Sequence, residues 1–175
     1  MKITKLIFCL TTLSLALSAQ TPATPRLLCM LFDLNTMDAV AQSKALDSAI
    51  KFVQQQATPD DRIAVMTYTA QLNVLQDFTD SRDGILAALR TIMPNANVAA
   101  GGSNPLQAIQ AAISILAPLP EKKAMIYFSS GVPKKSIDDQ EQLRATTNAA
   151  VRANVAIYSV DSRGISLPTA LSRPF

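Results

Sequence analysis

Four oxygen-bearing residues stand where the sequence pattern ends its strands or opens its helices: Asp33, Asn35, Ser103 and Ser130. Hard cations such as Mg²⁺ take oxygen ligands and keep several waters. The four together are therefore the inventory of a weak divalent-cation site. The rest of the inventory narrows the chemistry sharply. The chain of 175 residues has no histidine and two cysteines. A Ser-His-Asp triad, a Cys-His pair, imidazole-bound zinc and a histidine pH switch are all excluded. Ser129-Ser130-Gly131 sits where a strand gives way to a helix, the place of a hydrolase nucleophile. It does not match G-x-S-x-G, and no imidazole is present to act as base. A Ser-Lys pair with Lys134 or Lys135 is the enzymatic option the inventory leaves. The segment AAGGSNP precedes a helix and could meet an anion there, but it lacks the lysine and spacing of a P-loop and reads as a plain loop.

The elements that must position these residues follow from periodicity. Leu27 to Leu34 is a nearly continuous apolar run broken by Asp33, the pattern of a strand covered on both faces. Asp38 opens a helix to about Gln56, with Leu46, Ile50 and Val53 at helical spacing. Arg62 to Thr69 and Leu72 to Phe78 are β-forming runs joined by a very short connection, which predicts a hairpin and one antiparallel edge. Asp80 or Ser81 caps a helix carrying Ile85, Leu86, Leu89 and Ile92. A loop from Pro94 to Ser103 leads to Asn104 and Pro105, an N-cap followed by proline at the first helical position. Leu106, Ile109, Ile113 and Leu116 are that helix's apolar stripe.

Ala124 to Ser129 is a further apolar strand. Ser136 and Asp139 resemble a capping box for a helix to about Ala153, with Leu143, Ala150 and Val151 predicted inward. Asn154 supplies a left-handed stop, and Val155 to Val160 is a last strand closing on Asp161. The charge pairs Asp60-Asp61, Lys122-Lys123 and Lys134-Lys135 read as solvated loop charges. The order predicts an α/β fold of three layers, α-β-α, with a mostly parallel open sheet and one antiparallel edge hairpin. Ligands in such sheets sit beyond the C-terminal strand ends, beside the topological switch point, which is where Asp33, Asn35, Ser103 and Ser130 converge.

The N-terminus has the form of a secretory signal. Lys2 and Lys5 precede an apolar run from Leu6 to Leu17, and small residues follow at Ser18 and Ala19. The run is too short to span a bilayer, so no membrane span is expected after cleavage. The predicted divisions are a signal peptide over 1–19, a linker over 20–25, one domain over 26–164 and an irregular tail over 165–175. Loss of Lys2 and Lys5 leaves 14 basic residues of the original 16 against 13 acids. The basic residues are scattered, so no nucleic-acid footprint is expected. Cys29 lies in the first strand, where a buried inert thiol is expected.

Several stretches carry a family resemblance. GGSNPL at residues 101 to 106 is similar to the GGTxL-type loop of von Willebrand factor A domains, and MIYFSSGV at 125 to 132 resembles their strand ending in TDG. NVLQDFTDSRDGILAAL, EKKAMIYFSSG and RANVAIYSVDSRG resemble the secreted von Willebrand A-related proteins of Acidobacteria. The resemblance covers roughly residues 26 to 164. It implies a Rossmann-like fold and a metal-ion-dependent adhesion site built from D-x-S-x-S, a threonine and a second aspartate. Asp33 matches the first aspartate, Asn35 and Met37 stand at the two serines, Ser103 at the threonine and Ser130 at the second aspartate. Only Asp33 is identical, so the implied site is degenerate. A thioether at Met37 suits Mg²⁺ poorly, and Ser130 lacks a charge.

The resemblance further implies a final strand and helix that the chain to Phe175 does not supply, leaving Val155 to Val160 as an edge open to self-association. The expected function is a secreted or periplasmic, non-enzymatic module that recognises a protein or matrix partner through the loops at the C-terminal strand ends. It needs no cofactor beyond a weak divalent cation. The alternatives are an α/β hydrolase-type enzyme using Ser130 or Asp33, and a scaffold fragment without activity of its own.

Overall fold

The computed structural model describes residues 25–95, 104–131 and 137–163. In chain order the elements are β1 (Arg26–Asp33), α1 (Ala39–Gln55), β2 (Asp61–Tyr68), β3 (Leu72–Thr79), α2 (Arg82–Thr91), α3 (Pro105–Leu116), β4 (Lys123–Ser129), α4 (Ile137–Arg152) and β5 (Val155–Asp161). The sheet order is β3-β2-β1-β4-β5. All neighbours are parallel except the β2–β3 hairpin. This is the predicted α/β architecture.

β1 is the middle strand and explains its own sequence. Leu28, Met30 and Phe32 enter a core with α1 and α2, while Cys29 and Leu31 enter a second core with α3. A strand alternates its side chains between faces, so a strand covered twice must be apolar at nearly every position. Phe32 stacks on Phe128 of β4, with ring centroids 4.6 Å apart and planes within 5°. Burial pushes the Cys29 thiol up to about 12, which makes it inert at neutral pH. From β1 the chain first runs to β2 over the α1 face and later crosses to β4 over the α3 face. That reversal makes the cleft between β1 and β4 the topological switch point.

The helix caps fall where the sequence puts them. Asp38 accepts from the Ala41 amide at 2.7 Å. Ser81, not Asp80, caps α2 by accepting from Gly84 at 3.2 Å. Asn104 accepts from Leu106 at 3.0 Å, with Pro105 next in the first helical turn. Asn154 has φ of 54° and ends the turn after α4, a left-handed conformation that asparagine tolerates better than most residues. The Ser136–Asp139 capping box lies outside the described side chains.

Of the residues predicted inward on α4, Ala150 is buried but Leu143 and Val151 are not. Leu143 is 45% exposed and Val151 73% exposed, while Thr146, Ala150 and Ala153 are buried. Small residues and one hydroxyl form the contact instead. The Thr146 hydroxyl donates to the Gln142 carbonyl at 2.7 Å and accepts from Gln110 of α3 at 2.8 Å. A bonded threonine and alanines suit a close approach of two helices better than a leucine would, so hydrophobicity alone misplaces the face.

Two of the charges read as solvated are buried. Asp61 is 2% exposed and Lys123 3%. Both open strands, at the N-terminal edge of the sheet, where the chain turns inward. Arg26 donates to the two Asp61 oxygens at 2.5 and 2.8 Å, and the Thr58 amide adds a bond of 2.8 Å. The Lys123 ammonium donates to the Leu119 carbonyl. Burial pushes the Asp61 carboxyl up, but the bonds from Arg26 and Thr58 outweigh it and the net shift is downward. A carboxyl held low in the folded state stabilises the fold above its unfolded value and loses that contribution as pH falls through the folded value. Asp61→Asn should therefore cost about 3 kcal/mol at pH 7, the low end for one partner of a buried pair. The difference from the parent should shrink below about pH 4, the unfolded carboxyl range. Urea denaturation at pH 7 and pH 3 measures both; a cost that persists at low pH would contradict the assignment.

Candidate functional site

The site is built at the C-terminal edge of the sheet, around the last residue of β1. Asp33 has no accessible surface. Odd-numbered residues of β1 and β4 share the α3 side, so Tyr127, three positions from Ser130 in β4, reaches across to Asp33. Its hydroxyl donates to Asp33 Oδ2 at 2.6 Å, fully buried. The Asn35 amide donates to Oδ1 at 3.1 Å. The carboxylate thus caps the turn that follows its own strand, a role that aspartate takes often. The Thr36 hydroxyl and amide both donate to the Asp33 carbonyl, at 3.1 and 3.3 Å. Burial raises the Asp33 carboxyl above its ordinary range, partly offset by the bonds from Tyr127, Asn35 and Thr36. Burial, and then the negative charge of Asp33, push the Tyr127 phenol far up, so it holds its proton and donates at any physiological pH.

Around this pair the loops are tied to one another. The Asn35 side-chain amide donates to the Thr69 carbonyl in the β2–β3 hairpin, and the Leu34 amide donates to Tyr68 at 3.0 Å. Gln42, on the buried face of α1, donates to the carbonyls of Met37 (2.9 Å), Leu34 (3.3 Å) and Asn95 (3.3 Å), and accepts from the Asn95 amide at 2.9 Å. It joins the β1–α1 loop to Asn95, in the segment after α2. Nothing in the predicted site contains Gln42. The available signal is a glutamine on the inward stripe of α1, four residues after the cap, which is a buried polar group in need of partners.

Ser129 is buried, and its hydroxyl accepts from the Gly131 amide at 3.3 Å. Its carbonyl accepts from Ser162 at 2.9 Å. Ser130, the predicted ligand, is half-buried in the same turn. Gly131 has φ of +95°, and a β-carbon there would stand 3.2 Å from the Arg163 guanidinium. Arg163 in turn donates to both Asp161 oxygens, at 3.1 and 2.8 Å, and holds that exposed carboxyl down at about 2. Lys44 of α1 donates to the Arg163 carbonyl at 3.3 Å, so the β5 end is also fastened to α1.

Of the four predicted ligands, Asp33, Asn35 and Ser130 fall at this one end of the sheet. Ser103 lies outside the described residues, as do Lys134 and Lys135. Its neighbour Asn104 donates to Gln142 of α4 at 2.5 Å. The donors among the described residues do not fit a hydrated Mg²⁺. Asp33 has no open surface and both its oxygens accept bonds from within the fold. Asn35 would bring only a neutral amide oxygen, and Met37 lies in the α1-side core. Among the described residues no group of three or more acidic, cysteine or histidine side chains could hold a metal ion.

The comparisons with known proteins agree with this architecture. Residues 35–132, more than half of the chain, match the von Willebrand factor type A domain. No curated protein matches. Among solved structures, an aerotolerance-related membrane protein of Bacteroides fragilis is 14% identical with a TM-score of 0.59, over 77% of this chain and 66% of its own. The conserved hypothetical protein BatB of Bacteroides thetaiotaomicron is 15% identical with a TM-score of 0.56, over 77% and 65%. Proximal thread matrix protein 1 of the mussel byssus is 17% identical with a TM-score of 0.56, over 77% and 35%. The matches span less than two thirds of each of those chains, and at these identities they show the fold alone.

The clamp at Gln42 is testable. Gln42→Leu keeps the bulk and removes every bond that the amide makes to Leu34, Met37 and Asn95. Stability should fall by about 2 kcal/mol, the usual cost of stranding buried polar groups. Hydrogen exchange at the Asn95 amide should accelerate more than exchange in β3. Unchanged exchange at Asn95 would show that the two loops are held together by something else.

Proposed function

The chain belongs to the von Willebrand factor type A domain family, and on that premise we propose that it is a secreted or periplasmic, non-enzymatic recognition module. Its binding face is the end of the sheet where the β1–α1 turn, the β2–β3 hairpin, the loop after α2 and the β4 turn meet. The observation that carries this reading is the cross-tying of those loops by Gln42 and Asn35. A face that must complement a partner's surface gains from loops fixed before binding, since less ordering is left to be done on contact. The adhesion site of the family would be degenerate here, with Asp33, Asn35, Ser103 and Ser130 as its remnants.

A protein or matrix partner suits the face better than a small substrate. The polar groups described there bond to one another, and the reactive inventory is thin. The enzymatic alternative would place a nucleophile at Ser130 or Asp33. Asp33 has both oxygens engaged, and the chain has no histidine to serve as a base. A secreted location rests on Lys2, Lys5 and the apolar run after them. No helix among the described residues is long and apolar enough to cross a membrane. Likeness to secreted acidobacterial proteins rests on the sequence stretches alone. β5 has no strand beyond it among the described residues, so self-pairing along Val155 to Val160 belongs to the same proposal as a second mode of association.

A photo-crosslinking residue at exposed Ala70, in the hairpin at the proposed face, should yield discrete protein adducts in secreting cells. The same residue at exposed Asp60, at the opposite end of the sheet, should not. Equal adducts from both positions, or adducts from Asp60 alone, would move the binding face elsewhere. Turnover of an ester or phosphate substrate that disappears in Ser130→Ala would replace the recognition reading with an enzymatic one.

A further inference from the structure

The mismatch between the donors at Asp33 and a hydrated cation points to a substitute already present in the fold. A carboxylate at the end of a central strand, with no accessible surface, needs compensation from a cation or from hydrogen-bond donors. Here the donors are the Asn35 amide at 3.1 Å and the Tyr127 hydroxyl at 2.6 Å. The second is the shorter, and it comes from the neighbouring strand. A phenol is well suited to the task, because its ring packs in the α3-side core with Leu31 and Met125 while its hydroxyl reaches a polar partner. The neighbouring positions offer a cation little: Met37 lies in the α1-side core, and Ser130 brings no charge. A cation arriving at Asp33 would compete with the phenol for Oδ2 and would find at Ser130 a hydroxyl rather than a second charge.

We infer that Tyr127 stands in for a cation at this strand end: its hydroxyl satisfies the buried Asp33 carboxylate from within the sheet, so the loops around it are assembled without a divalent ion. Tyr127 is a positioning residue in this role, acting on the β1–α1 turn through Asp33. The inference concerns how the face is built and holds whatever partner the face takes.

Rebuilding the missing ligands with and without the phenol tests it. Three proteins are compared in EDTA and in saturating Mn²⁺: the parent, Met37→Ser with Ser130→Asp, and the same pair with Tyr127→Phe. The parent and the two-substitution variant should show no change in Tm with Mn²⁺. The three-substitution variant should gain about 5 °C or more at roughly a hundredfold excess over its Kd. A Mn²⁺-dependent rise in the parent or in the two-substitution variant overturns the inference, as does a folded three-substitution variant that does not respond. A purely packing role for Tyr127 would lower the Tm of the last variant without creating a metal response. Should that variant fail to fold, the parent decides. Its Tyr127 hydroxyl proton, observed by NMR, should be unmoved by excess Mg²⁺ or Ca²⁺, and a shift or loss of that resonance overturns the inference equally.

Discussion

One buried charge organises the upper half of this molecule. Asp33 ends a strand that is covered on both faces, so water cannot reach its carboxylate. Its solvation must come from the protein. The donors that supply it fix three things at once. The Asn35 amide sets the turn out of β1, the Tyr127 hydroxyl sets the relation of β1 to β4, and the packing of the phenol sets the depth of the α3-side core. Gln42 then ties that turn to Asn95, in the segment after α2. The loops at the switch point are tied together around a charge that cannot be left unsatisfied, and loops positioned by a layered scaffold suit the recognition role proposed for this face.

The fold was legible because its strongest signals are periodic and local. β1 and β4 are apolar at nearly every position, as strands buried on both faces must be. Asp38, Ser81 and Asn104 cap the helices they precede, and Asn154 stops the last helix with a positive φ. Each of these is decided within a few residues, where sequence neighbours are also spatial neighbours. The inward face of α4 was not legible for the opposite reason. Leu143 and Val151 are exposed, yet Thr146 is buried beside Ala150 and Ala153. That choice is made by the partner helix, because Gln110 of α3 bonds the Thr146 hydroxyl.

The same division separates the parts of the site. The position of Asp33 at a strand end could be read from the run that it interrupts, and the turn that it caps is two residues long. Tyr127 is ninety-four positions away and looks like one more aromatic in a core strand. Its role depends on the register between β1 and β4, with Phe32 opposite Phe128, which no local pattern encodes. Asp61 and Lys123 are misleading in the same manner. Beside a second charge in the sequence they look solvated, and only the pairing of β1 with β2 shows why Arg26 meets Asp61.

The two aspartates at opposite ends of the β1 layer divide the labour between stability and site. At the lower end, bonds from a guanidinium and an amide overcome burial, and the Asp61 carboxyl is held low. At the upper end the donors are neutral, burial dominates, and the Asp33 carboxyl is raised. The signs for folding are opposite. Asp61 adds stability above the unfolded carboxyl range and loses it on acidification, whereas Asp33 favours the fold at low pH and withdraws that contribution as pH rises through its folded value. Burial thus outweighs the neutral donors at the upper end, whereas the donors outweigh burial at the base. An arginine at the upper end would lower the Asp33 carboxyl as Arg26 lowers Asp61, but it would also place a long cation among loops that are otherwise bonded to one another. A tyrosine satisfies the oxygen from inside the core and leaves the outer surface of the turn to the loops.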